Sequence, residues 1–215
     1  MRTDNTGGYE NDHHLIFILS FFTTAIMPTP NLDHPTLPLV KAKFPQVKLL
    51  ASEFRGQTTL VVPSAASHEV LAFLRHDPAC AFDLLVDVTA VDYLNYPNTK
   101  VGPAQGGRFA VIYNLVNTTT ALRLIVKSFL SPTLDTTGIE DDPALHIDSI
   151  CDLWPGGEWR EREVFDMFGI RFDNHPDLRR ILLWETYPAH PLRKDYPLRG
   201  RGERETYRVV ERDDA

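Results

Sequence analysis

Cysteine is almost missing from this chain. Cys80 and Cys151 are the only two in 215 residues, and they lie far apart. A tetrahedral thiolate centre or an iron–sulfur cluster takes four ligands, usually with cysteines at short spacing, so the chain cannot carry either by itself. The two thiols read as small buried side chains in a reducing compartment. Nucleotide motifs are missing too. Gly102, Gly106 and Gly107 fall in a Pro/Gly-rich loop with no G-x-G-x-x-G and no P-loop around them, which leaves no sequence-level site for a dinucleotide. No G-x-S-x-G frames a serine nucleophile. A basic excess is absent as well: 22 Lys and Arg stand against 29 Asp and Glu. Residues 1–170 carry 12 basic and 20 acidic side chains, whereas residues 171–215 carry 10 and 9. An acidic body argues against a nucleic-acid-binding module. The bases of the C-terminal part, Arg193, Lys194, Arg199, Arg201 and Arg204, are interleaved with acids, and no nucleic-acid motif frames them.

Long apolar runs are also lacking. Leu15–Met27, LIFILSFFTTAIM, is too short to cross a bilayer as a helix. Arg2 is outweighed by Asp4, Glu10 and Asp12, so the basic region of a signal peptide is missing. Residues 1–36 are therefore expected to be a disordered or mis-called extension. Of these readings, translation from Met27 is preferred over a targeting role.

What is present first is one mixed domain, expected over residues 37–173. Its length suits one ordinary domain with extensions. Leu37–Phe44 is a short helical candidate, and Val47–Phe54 and Thr58–Val62 bracket Arg55-Gly56-Gln57 as a hairpin. Ala66–Arg75 places Val70, Phe73 and Leu74 at helical spacing. Phe82–Val91 reads as a central strand, and Arg108–Val116 and Ala121–Phe129 as two more strands joined by Asn117–Thr120. Leu145–Ile150 is read either as a last strand or as the lead into the next helix. Strands meeting through hairpins predict an α+β fold with a mixed, mainly antiparallel sheet and flanking helices.

Pro155-Gly156-Gly157 then opens a helix that Gly169 ends. On it, Glu158–Arg162 and Arg162–Asp166 stand at i, i+4 and predict ion pairs along the helix. Prolines 176, 188, 191 and 197 prevent any later long helix, so residues 174–215 read as an extended proline-rich tail. Nearly all periodic apolar segments lie before it, and the core is expected not to depend on it. Glu161, Glu163 and Asp166 could form an acid/base set, but interleaved arginines would hold them ionised. His175 and His190 could ligate a metal with Asp173, Asp177 or Asp195, as in a metal-dependent hydrolase, yet the spacing matches no zinc pattern. Arginine beside proline and tyrosine has the composition of interface hot spots, and the tail reads as a docking segment.

The run EREVFDMFGIRFDNHPDLRRIL, Glu161–Leu182, followed by HPLRKDYPL, His190–Leu198, resembles the signature of the C-subunit family of proton-pumping NADH:quinone oxidoreductase, respiratory complex I. The likeness is near-continuous from Trp159 to Leu198 and looser from Phe82 to Ile150. It implies a cofactor-free part of the peripheral arm, on the cytoplasmic side of the inner membrane, packed on the large quinone-site subunit. FMN and iron–sulfur clusters would sit in partner subunits, and this chain would not be catalytic alone. The equivalent subunit of a membrane-bound hydrogenase or ferredoxin-linked complex is the neighbouring alternative. On this reading the subunit interface falls on Glu161, Arg162, Glu163, Asp166, His175, Pro176, Asp177, Arg179, Arg180, His190, Pro191, Arg193, Lys194, Asp195, Tyr196 and Pro197.

Overall fold

Alternating apolar residues build the sheet, and two amphipathic helices close one of its faces. The computed structural model describes residues 32–96 and 107–203. The expectations for residues 1–31, including the start at Met27, and for the loop residues 97–106 and the end 204–215 lie outside them. The elements run α1 (Thr36–Lys43), β1 (Leu50–Phe54), β2 (Gln57–Val61), α2 (Ser67–His76), β3 (Leu84–Asp92), β4 (Phe109–Val116), β5 (Arg123–Leu130), β6 (His146–Asp148), α3 (Gly157–Phe168) and β7 (Arg171–Asp173). Five strands form one sheet in the order β1-β2-β5-β4-β3. All neighbours are antiparallel except β2 and β5. The α+β, mainly antiparallel expectation holds.

Local chemistry explains the turns. Arg55 and Gly56 both have positive φ, 53° and 77°, and pair Phe54 with Gln57 across a two-residue hairpin of the kind that follows the strand twist. Asn117 shapes the β4–β5 turn by accepting from the Thr119 and Thr120 N–H groups. One face of the sheet is buried from β2 across to β3. Leu60, Val126, Tyr113 and Val88 form a row across it through their register. Val70, Leu71 and Leu74 of α2 and Val164 and Phe168 of α3 join the same cluster. Trp154 seals one end, donating its indole N–H to the Phe82 carbonyl at 3.2 Å.

One expectation is corrected, and one left open is decided. The apolar run at 82–91 forms β3 at an edge of the sheet, not its centre. It is rich in apolar residues because α3 packs against it. Leu145–Ile150 resolves into a 3₁₀ turn at Pro143–Leu145 and the short strand β6, which pairs in parallel with β7, a strand too short for the apolar pattern to mark.

Candidate functional site

α3 leaves carbonyls open at its end that the tail closes. The last four carbonyls of an α-helix have no partner within the helix. Here the Phe165 carbonyl receives the Gly169 N–H at 2.8 Å, with Gly169 in the left-handed region at φ 72°. The Asp166 carbonyl accepts from Arg180 Nη1 at 3.1 Å and from His190 Nδ1 at 2.9 Å. The Met167 carbonyl takes the Leu192 N–H at 3.1 Å, and the Phe168 carbonyl takes Arg193 Nε at 2.6 Å. Three of the four are capped by residues after position 174. Two of the caps are arginines, whose charge also suits the negative end of the helix dipole.

The Asp166 side chain closes the same seam from the other side. Its carboxylate is fully buried and accepts from the backbone N–H groups of Ile181, Leu182 and Leu183 at 3.1, 2.8 and 2.9 Å. The Arg180 guanidinium meets it at 2.6 Å. Burial alone would raise its pKa, but the Leu183 N–H, the Arg180 side chain and the Leu182 and Ile181 N–H groups together hold it below the ordinary carboxylate value. Arg180 also donates to the Tyr187 and Ala189 carbonyls. Arg162 does not pair with Glu158 or Asp166 as the helical spacing predicts. It donates instead to the Arg179 and Arg180 carbonyls at 3.1 Å each, acceptors on the backbone of the tail, whose own position costs no further side-chain ordering.

Farther along, the tail is clipped to the sheet. Arg193 is 4% exposed and donates to the Thr136 and Gly138 carbonyls as well. The Lys194 N–H meets Asp92 at 2.8 Å, and Arg108 bridges Asp92 and Asp195 at 2.8 and 2.9 Å. His190 lies 6% exposed between these groups. Burial, together with the charges of Arg193 and Arg180, lowers its pKa to about 4 despite the bond to the Asp166 carbonyl. It is therefore neutral and carries its proton on Nδ1.

Glu161 heads a second buried group. Its carboxyl accepts from the Ile150 N–H at 2.8 Å, Ser149 Oγ at 2.6 Å and Cys151 Sγ at 3.3 Å. Burial raises its pKa. Cys151, Glu161 and His175 are the one set of three or more potential metal donors gathered within 4.8 Å among the described residues. The donors do not suit an ion. His175 Nδ1 accepts the Asp177 N–H at 3.0 Å and Nε2 faces the Glu158 carbonyl at 3.0 Å. A backbone N–H can only donate and a carbonyl can only accept, so the proton sits on Nε2, the nitrogen that faces Glu161. Cys151 is a poor thiolate, since burial pushes its thiol up to about 12.

The residues expected at a subunit interface thus divide. The side chains of Glu161, Arg162, Asp166, His175, His190 and Arg193 are buried within this chain, and Arg180, Pro191, Asp195 and Tyr196 are half-buried. Glu163, Pro176, Asp177, Arg179, Lys194 and Pro197 face solvent. Glu163 stands outside while Glu161 and Asp166 are sealed in different surroundings, so the acid/base set is not assembled. His190 likewise does not join His175 in a donor cluster. Hydrogen bonds cross the boundary expected after residue 173. The buried apolar core does end at Phe172, with Leu178 and Leu183 only partly buried against it. Across that line the contact is a polar seam, which a search for apolar periodicity cannot see.

Comparison with known proteins places these elements in context. The family described as "Respiratory-chain NADH dehydrogenase, 30 Kd subunit" matches residues 60–202, from the end of β2 through β3, β4, β5 and the seam. An NADH-quinone oxidoreductase C subunit from Geobacter metallireducens is 40% identical over 169 residues, 79% of this chain and 91% of that protein. Its counterpart of the same name from Rhodopseudomonas palustris is 40% identical over 164 residues, 75% of this chain and 71% of that protein. Among solved structures, a trypsin-resistant fragment of Nqo5 superposes with a TM-score of 0.50 at 30% identity, covering 66% of this chain and 96% of that one. A chain of the membrane-bound sulfane sulfur reductase, an archaeal respiratory membrane complex, shares the fold with a TM-score of 0.57 at 20% identity, over 83% of this chain and 95% of that one.

Proposed function

Because this chain belongs to the family of the respiratory-chain NADH dehydrogenase 30 Kd subunit, we propose that it is a structural subunit of a proton-translocating NADH:quinone oxidoreductase. In that role it binds no cofactor. Electrons pass from NADH through FMN and iron–sulfur clusters in partner subunits to quinone, and this chain holds its neighbours in place in the peripheral arm. No helix among the described residues is long and apolar enough to cross a membrane. On the proposed reading, the chain is attached to the cytoplasmic side of the inner membrane through the complex.

The observation that carries this reading is the family match from residue 60 through the seam, at positions whose buried charges serve shape. Asp166, Arg180, His190 and Arg193 face backbone or each other, and a group sealed in this way cannot reach a substrate. They fix the path of the tail. The tail then presents Pro176, Asp177, Arg179, Lys194 and Pro197 to a partner, which we assign as the large quinone-site subunit. Exposed charges of this kind are worth little in water and more when desolvated against opposite charges.

Purification of the complex through a tag on this chain tests the assignment. Subunits carrying flavin, iron–sulfur clusters and the quinone site are expected to come with it. Recovery of hydrogenase-type subunits instead would move the chain to that related class of complex. A metal bound at one per isolated chain would overturn the cofactor-free reading.

A further inference from the structure

One surface feature is used neither by the core nor by the seam. Trp159 and Glu163 stand one turn apart on the solvent stripe of α3, and Trp159 is 68% exposed. Leu182, from the tail, is 64% exposed. With Pro155, Gly156 and Ile181 they line an open groove of about 500 Å³, bordered by Glu158, Arg160 and Glu163. A single exposed apolar side chain requires no account. A tryptophan and a leucine sharing one groove are different, since tryptophan is among the residue types most enriched at the energetic centres of interfaces.

The charge on the border narrows the occupant. Arg160 is already engaged by Asp87 at 2.7 Å. Glu158 and Glu163 have no cation within ion-pair distance among the described residues. The groove therefore offers an apolar floor between two uncompensated carboxylates. A second copy docking through the same patch would gather four carboxylates in one contact, while Arg160 of each copy is already engaged by Asp87. The apolar stretch near the N-terminus is a poor match as well, because Asp4, Glu10 and Asp12 outweigh Arg2 before it.

We propose that this groove receives a segment of another subunit of the complex, one that inserts an apolar side chain flanked by lysine or arginine. The inference rests on the reading of this chain as a complex subunit, and adds a contact separate from the exposed tail residues. The carboxylates would steer a basic segment to the groove, and desolvation of the indole would hold it there.

The test compares variants of the full chain in cells, measuring how much of the assembled complex is recovered through it. Trp159→Ala is expected to lower recovery at least about tenfold. Glu158→Lys with Glu163→Lys is expected to lower it at least about threefold, more at low salt than at high. Neither should move the melting temperature of the chain appreciably, since all three side chains lie outside the core. Phe54→Ala removes an aromatic of similar exposure, 72%, on the β1–β2 hairpin and should leave recovery unchanged. Wild-type recovery with Trp159→Ala, alongside a loss with Arg179→Glu in the tail, would overturn the groove while leaving the subunit reading intact. Failure of the wild-type chain to bring any other respiratory subunit would overturn both. Conversion of a dimer of this chain to a monomer by Trp159→Ala would show a second copy in the groove and also overturn the proposal.

Discussion

Asp166→Asn changes one atom in a fully buried side chain and should show how strongly the seam holds. The carboxylate takes three backbone N–H groups on Oδ2 and Arg180 on Oδ1. An asparagine keeps one oxygen for the three N–H groups of residues 181–183. Its amide nitrogen would then face Arg180, a donor against a donor, and the guanidinium would lose its counter-charge at 9% exposure. Removing one partner of a buried pair typically costs about 3–5 kcal/mol. For a domain of this size, that lowers the melting temperature by about 6–20 °C. Full-length wild type and variant would be compared by thermal melting and by limited trypsin digestion under native conditions. Cleavage after Arg179, Arg180 or Arg193 is expected to accelerate before the sheet is cut, because the seam opens locally while the apolar core ends upstream at Phe172. Adding Arg180→Met should recover only part of the loss, since the backbone carbonyls of residues 166, 187 and 189 then lose the donor that Arg180 gives them. The carboxylate's low pKa sets the acid dependence: its contribution is present above the unfolded carboxylate pKa and disappears as pH falls through the folded value. A shift of less than about 2 °C, with unchanged trypsin sites, would refute the account of the seam as a stabilising element.

Gly169→Ala forces a residue into φ 72° and sets a Cβ 2.3 Å from Arg193 Nη2 and 2.6 Å from His190 Cδ2. It should cost at least about 1–2 kcal/mol in a urea melt. In an NMR titration His190 should stay neutral down to about pH 4. As the unfolded chain takes up that proton near the ordinary histidine pKa, His190 makes stability fall with pH below that point, and His190→Gln should flatten the slope. His146 behaves oppositely. Burial lowers its pKa, but the bonds to Asp141 and Asp173 outweigh this and raise it. Its contribution is complete below the unfolded histidine pKa and lost as pH rises through the folded value, so His146→Gln should cost more at pH 6 than at pH 9, and under about 1 kcal/mol because the carboxylates are exposed. Cys151, held up to about 12, should react with iodoacetamide far more slowly than a free thiol at pH 7.5, as measured by mass spectrometry.

Much of the fold is legible in the sequence because alternation and turn chemistry are local. Arg55-Gly56, the Asn117 turn and Gly169 each mark an element end where it occurs. The position of β3 at the edge is not legible. An apolar run reads the same whether a strand or a helix covers it, and here the cover is α3. The parallel pairing of β2 with β5 is hidden as well, since α2, β3 and β4 intervene. For the buried charges, the sequence identifies the right residues but gives the wrong partners. The helical spacing of Arg162 and Asp166 is real, but the partners that win are the Arg179 and Arg180 carbonyls, which accept from Arg162, and the N–H groups of Ile181, Leu182 and Leu183, which donate to Asp166. Those partners follow from the route of the tail, which no periodicity encodes. The Lys194–Asp92 contact joins residues 102 positions apart.

The caps on α3 also impose an order on synthesis. The apolar cluster under the helices itself ends at Phe172, so it can gather once β7 has left the ribosome, domains being able to fold while the chain is still growing. The carbonyls of Met167 and Phe168 must wait for Leu192 and Arg193. Until then the end of the helix is open to water, and the nascent protein already has its sheet but not yet the surface that its tail will present. The side proposed to face a partner therefore takes shape only after Leu192 and Arg193 have been made.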